Sequence, residues 1–187
     1  GQVPLDRPPY RAELPIHLAA LGPKMLELAG RIADGVILNL VSPEQAGEAA
    51  AAVRSAAAAA GRDPAEVEVV CVIHCCLSDD PQAAADAARA AVPRYVLHPA
   101  AGRLFGESAA VELAAARKAV LAGDRMAAAE QVPQHVADTF VANGDAATCH
   151  ARAEEYRAAG VDLPVLFPMP VKGAWNYDQV IAELNPA

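Results

Sequence analysis

The stretch PIHLAALGPKMLELAGRIADGVILNLVSPE, residues 15–44, reads as strand, helix, strand and the start of a second helix. Residues 14–20, LPIHLAA, form a short apolar run that stops at Gly22-Pro23, as a buried strand leading into a helix would. Beyond the turn, Lys24, Glu27 and Arg31 recur at i, i+3 and i+7, with Met25, Leu28, Ala29 and Ile32 on the other face. That spacing predicts an amphipathic helix ending near Ala33. Residues 34–40, DGVILNL, supply the next apolar strand, entered through Gly35. Ser42, Pro43 and Gln45 then stand at the N-cap, first and third positions of a capping box.

The same alternation continues downstream. An alanine-rich helix runs to about Ala60, Asp63-Pro64 marks a turn, and the β-branched, cysteine-rich residues 67–77 suit a buried parallel strand. Asp80-Pro81 opens another helix, with Gln82, Asp86 and Arg89 on its polar face. Residues 95–144 break the pattern. They are punctuated by glycine, hold at least one helix at 109–121 and show no clear strand, so residues 95–132 are read as a partly helical insertion within a single domain, 1–187. A last helix over 145–159 ends at Gly160, a C′ residue, and residues 161–169, VDLPVLFPM, give a fourth strand. Upstream, Pro4, Pro8 and Pro9 make residues 1–13 a connecting arm. Strands separated by helical crossovers imply a parallel sheet covered by helices.

Composition narrows the function classes. With 54% hydrophobic residues in 187, the chain can bury a core, and its net charge of −8 is scattered and offers no positive field for nucleic acid. No leader pattern and no apolar run of about 20 residues is present, so a cytoplasmic protein without membrane contact is expected. The four cysteines are read as reduced, buried thiols. Cys75 and Cys76 are neighbours on a strand and point to opposite faces.

Residues 15–44 resemble the region after the fifth strand of luciferase-like monooxygenases and coenzyme F420-dependent oxidoreductases. Residues 143–168, NGDAATCHARAEEYRAAGVDLPVLFP, are similar to the closing helix and eighth strand of that family. The resemblance implies a (β/α)8 TIM barrel of which this chain holds the C-terminal half, four βα units. A complete barrel takes about 250 residues, which agrees. It also implies an oxidoreductase that uses coenzyme F420, or FMN, for hydride transfer with a small-molecule substrate, its catalytic residues unassigned. The alternative is a half barrel that binds cofactor or a partner half without turnover. An open half exposes two strand edges, so a homo-oligomer or a complementary N-terminal half is expected to close it. The alanine-rich, lysine-poor composition resembles that of high-GC actinobacterial proteins, which favours the deazaflavin over FMN.

The turn between the first strand and its helix is a physical candidate for an anion site. Backbone N–H groups at a helix start point outward and the dipole favours phosphate. Such turns also simply start helices, but the resemblance likewise implies the cofactor phosphate here, so Ala20, Leu21, Gly22, Pro23 and Lys24 are the cofactor-binding candidates. Asn39 joins them because it ends a strand where barrels carry functional groups. Cys71, His74, Cys75 and Cys76 suggest a metal, yet alternation along a strand separates Cys71 and Cys75 from His74 and Cys76, so no metal is assigned. His17 can face the barrel interior or be a satisfied core group. Asp63, Asp79, Asp80 and Ser42 read as helix caps. Phe167, Trp175 and Tyr177 can stack on a ring or merely pack. No Ser-His-Asp order, phosphate-binding P-loop or dinucleotide glycine fingerprint occurs.

Overall fold

The structure, a computed structural model, describes residues 10–11, 13–173 and 177–185; the prolines of residues 1–9 and Trp175 lie outside them. The order is β1 (His17–Ala19), α1 (Pro23–Ile32), β2 (Gly35–Asn39), α2 (Pro43–Ala59), β3 (Glu68–Leu77) and α3 (Pro81–Ala91), then α4 (Ala101–Glu112), α5 (Ala114–Leu121), α6 (Arg125–Glu130), α7 (Gln134–Phe140), β4 (Val141–Gly144), α8 (Ala146–Ala158), β5 (Leu163–Pro168) and α9 (Tyr177–Leu184).

All the pairings are parallel. β1 pairs with β2 and β2 with β3 over Glu68–Val72, while β5 takes the opposite edge of β3 over Val70–Cys75. The expected four strands therefore form one continuous ladder, β1-β2-β3-β5. β4 is a fifth strand that the sequence reading missed. It continues the β2 side of β3, pairing His74–Leu77 with Val141–Gly144, and its four residues are too few to show an alternation of their own. β1 is also shorter than the expected 14–20. Ile16 still exchanges hydrogen bonds with Asp34, but Pro15 has no N–H with which to carry the ladder further.

The sheet has an outer face under helices and an inner face. Val36 and Leu38 of β2, and Val69, Cys71, Ile73, Cys75 and Leu77 of β3, join α1, α2, α8 and α9 in one buried core. The helices are set by local signals. Ser42 and Gln45 form the capping box of α2, Asp80 caps α3 and Asp145 caps α8, which ends at Gly160 with φ +106°. Asp79 has no such role, because the neighbouring Asp80 carboxylate accepts from the Gln82 and Ala83 N–H groups.

α1 buries a different face from the expected one. Leu26, Ala29, Gly30 and Ala33 turn inward, whereas Met25, Leu28 and Ile32 are exposed. Gly30 is the reason: without a side chain it lets α1 come onto the α2 backbone beside Val53, Ala56 and Ala57, and that approach rotates the helix about its axis.

Residues 95–132 hold three helices, α4, α5 and α6, joined by turns. α4, kinked at Gly106 where φ is +76°, packs with α5 and α7 on a second core that includes Cys76, Leu104 and Val136. Phe105 meets Phe140 edge-on there at 5.1 Å.

Candidate functional site

Parallel strands deliver their C-terminal ends to one side, and the turn after β1 and the end of β2 meet there. Ala20 leaves β1 buried, its N–H donating to the Ile37 carbonyl of β2 at 3.2 Å. Leu21 packs against both hydrophobic cores. Gly22 is the N-cap of α1 in extended conformation and Pro23 takes the first helical position. No side chain caps this helix and no acid stands in its first turn. Pro23 has no N–H and the Met25 and Leu26 N–H groups both donate to the Gly22 carbonyl at 3.0 Å, so the Lys24 N–H is the outward-facing donor at this positive end of the helix dipole. Pro23 and Lys24 are exposed there.

A second cation reaches this turn from far along the chain. A Cβ on Gly22 would stand 2.7 Å from Nη1 of Arg103, so the guanidinium lies against the bare α-carbon of the N-cap. Gln45 ties α4 to the start of α2. Its Oε1 accepts from the Ser42 N–H at 2.9 Å, and its Nε2 donates to the Leu104 carbonyl at 3.1 Å and more weakly to that of Arg103 at 3.4 Å. Leu21, Pro23, Gln45 and Arg103 close the upper end of a groove of about 1130 Å³ between α1 and α2. Arg103 escaped the sequence reading because an exposed arginine in an insertion has no local pattern that ties it to residue 22.

Asn39 is exposed at the end of β2, and the backbone bends sharply after it, with Leu40 at φ +52°. That conformation is uncommon for leucine and ends the strand at once. Below Asn39 the inner face is layered. His17, Gly35 and Glu68 form the lowest row, then Ala19, Ile37, Val70 and Leu163, then Asn39, Val72 and Val165, with His74 and Phe167 uppermost. The two middle rows are apolar apart from Asn39. Leu163, Val165 and Phe167 stay exposed on this face.

The histidines lie at opposite ends of the face. His17 donates across Gly35 to the Glu68 carboxylate, Nε2 to Oε2 2.8 Å, far from the C-terminal turn; a Cβ on Gly35 would run into the imidazole. It is thus inward-facing and satisfied at once. His74 is buried under Tyr95, whose hydroxyl is 3.2 Å from Nε2, and beside Phe167, 5.7 Å between ring centroids. Its Nδ1 is buried without a hydrogen-bond partner, and burial, aided by Arg94, holds its pKa below the ordinary 6.5.

Cys71 and Cys75 enter the helix-side core while Cys76 enters the other, so the strand separates them as its alternation requires. Among the described residues no three His, Cys, Asp or Glu side chains gather as a metal site would need. Phe167 and Tyr177 are both more than half exposed, Phe167 on the inner face.

The family profile described as luciferase-like monooxygenase matches residues 2–163. A curated 5,10-methylenetetrahydromethanopterin reductase of Methanolobus tindarius is 44% identical over 72 residues, 38% of this chain and 22% of that protein. A phthiodiolone/phenolphthiodiolone dimycocerosates ketoreductase of Mycobacterium bovis is 50% identical over 64 residues, 33% of this chain and 17% of that protein. Among solved structures, the coenzyme F420-dependent tetrahydromethanopterin reductase of Methanopyrus kandleri superposes with TM-score 0.71 at 28% identity, over 84% of this chain and 45% of that one. A coenzyme F420-dependent secondary alcohol dehydrogenase, solved with an adduct of the coenzyme and acetone, gives TM-score 0.65 at 17% identity, over 93% of this chain and 50% of that one. The chain thus spans half or less of the proteins it matches.

Proposed function

The chain belongs to the luciferase-like monooxygenase family of oxidoreductases, and from that premise we propose that it is the half of a barrel that holds a coenzyme F420 phosphate at the start of α1. The observation that carries this is the uncapped N-terminus of α1 with Arg103 folded against Gly22, at the C-terminal end of a parallel sheet. The Lys24 N–H, the positive end of the α1 dipole and the Lys24 and Arg103 side chains together suit a phosphate. FMN presents the same group and is the alternative. The coenzyme dependence of the Methanopyrus kandleri reductase supports the deazaflavin.

The fit extends to the ring. Ile37, Val72 and Val165 offer an apolar wall, Asn39 a polar group at its upper edge and Phe167 an aromatic face. When bound, the ring supplies hydride transfer, while these residues orient it and keep water away. The substrate is a small organic molecule.

Fluorescence titration of the chain with coenzyme F420 and separately with FMN tests the assignment. Saturable binding of one of them, weakened about tenfold in Lys24→Ala and again in Arg103→Ala, is expected for the loss of a charged phosphate partner worth about 1.5 kcal/mol. Wild-type affinity in both variants refutes the location, and binding of neither cofactor refutes the function for this chain.

Among the described residues β1 pairs only with β2 and β5 only with β3, which leaves two outer edges open beside the exposed Leu163, Val165 and Phe167. We propose that further βα units, from the same polypeptide or another copy, cover this face.

A further inference from the structure

Cys75 and Cys149 lie on the helix side of the sheet, away from whatever completes the inner face. Cys75 comes from β3 and Cys149 from the first turns of α8, 74 residues apart in sequence, and their sulfur atoms are 3.2 Å apart in the main core. Both side chains are fully buried. A disulfide needs its sulfurs at about 2 Å, so small side-chain adjustments would suffice for bonding.

We propose that Cys75 and Cys149 are a modification site, a dithiol that hydrogen peroxide converts to an intrachain disulfide clamping β3 to α8. The four thiols are not equivalent. Burial pushes those of Cys71 and Cys76 up to about 12. Cys75 donates its proton toward Cys149, which raises its own pKa and lowers that of Cys149 below the ordinary thiol value. Cys149 is therefore the attacking group.

Its sulfur displaces hydroxide from the peroxide O–O bond, and with the thiol proton this leaves as water, forming a sulfenic acid on Cys149. The Cys75 sulfur then attacks that sulfur and loses its proton to the departing hydroxyl, a second water. Two thiols are oxidised and one peroxide is reduced. Because both sulfurs are buried, the reaction waits on local opening and is slow.

The test treats the purified protein with hydrogen peroxide, counts free thiols after denaturation, and maps cross-links by peptide fragmentation. The four thiols should fall to two, with a cross-link between Cys75 and Cys149 and a monomeric product. Cys149→Ser and Cys75→Ser should each abolish the cross-link. Cys76→Ser leaves the pair intact and should still lose two thiols, which guards against a variant that merely fails to fold. Four surviving thiols, pairing of Cys71 or Cys76 instead, or cross-links only between molecules would each overturn the proposal.

Discussion

Alanine in place of Gly30 is expected to destabilise the fold by about 1–3 kcal/mol or more, although alanine is the better helix former by up to about 1 kcal/mol. A Cβ there would run into the Val53 carbonyl oxygen and stand 2.8 Å from the Ala56 Cβ and 3.1 Å from the Ala57 N. Two of these are backbone atoms of α2, which cannot swing aside as a side chain does. The helices must separate, and the core formed by Leu26, Ala29 and Val53 loosens with them. Gly102→Ala is the contrasting variant. Nothing lies within 4 Å of a Cβ at Gly102 in α4, so it should be neutral or gain up to about 1 kcal/mol. Chemical denaturation of both variants separates packing from propensity, and equal midpoints would show that α1 and α2 do not meet as described.

Tyr156→Ala is expected to be more damaging still, with a loss of about 3–5 kcal/mol against a total of about 5–15. Tyr156, 1% exposed on α8, is among the largest fully buried side chains, and its hydroxyl donates to the Val41 carbonyl at 2.6 Å. Burial raises its pKa above the ordinary phenol value, so it remains a donor. Val41 follows β2 and immediately precedes the α2 cap, so this one bond ties the closing helix to the turn that carries Asn39 and Ser42. Tyr156→Phe retains the ring but leaves a buried carbonyl without its donor, and should lose about 1–3 kcal/mol. Denaturation midpoints in the order wild type, Phe, Ala are expected. A Phe variant as stable as wild type would mean that water or another donor replaces the hydroxyl.

Much of the architecture was legible because it is local. The capping box at Ser42 and Gln45, the prolines that open α1, α2 and α3, and the glycine after α8 each act within a few residues, and all stand where their chemistry puts them. What the sequence concealed depends on distance. β4 exists through its pairing with His74–Leu77, α1 turns its face to suit Gly30 against α2, and α9 lies beyond the last pattern read. The candidate site divides in the same way. The turn at Gly22-Pro23-Lys24 announces itself, whereas Arg103 and Gln45 reach it through contacts 81 and 23 residues away from Gly22, which no spacing rule connects. Cys149 was silent for the same reason, since its partner is on another element.

Leu163, Val165 and Phe167 are exposed on the inner face, which the proposed half barrel would bury beneath further βα units. Sedimentation velocity of the purified 187-residue chain over a range of concentrations tests that directly. Association into dimers or larger species, reversed when the missing βα units are supplied, is the predicted result. A folded, monodisperse monomer at every concentration, unchanged by those units, would contradict it.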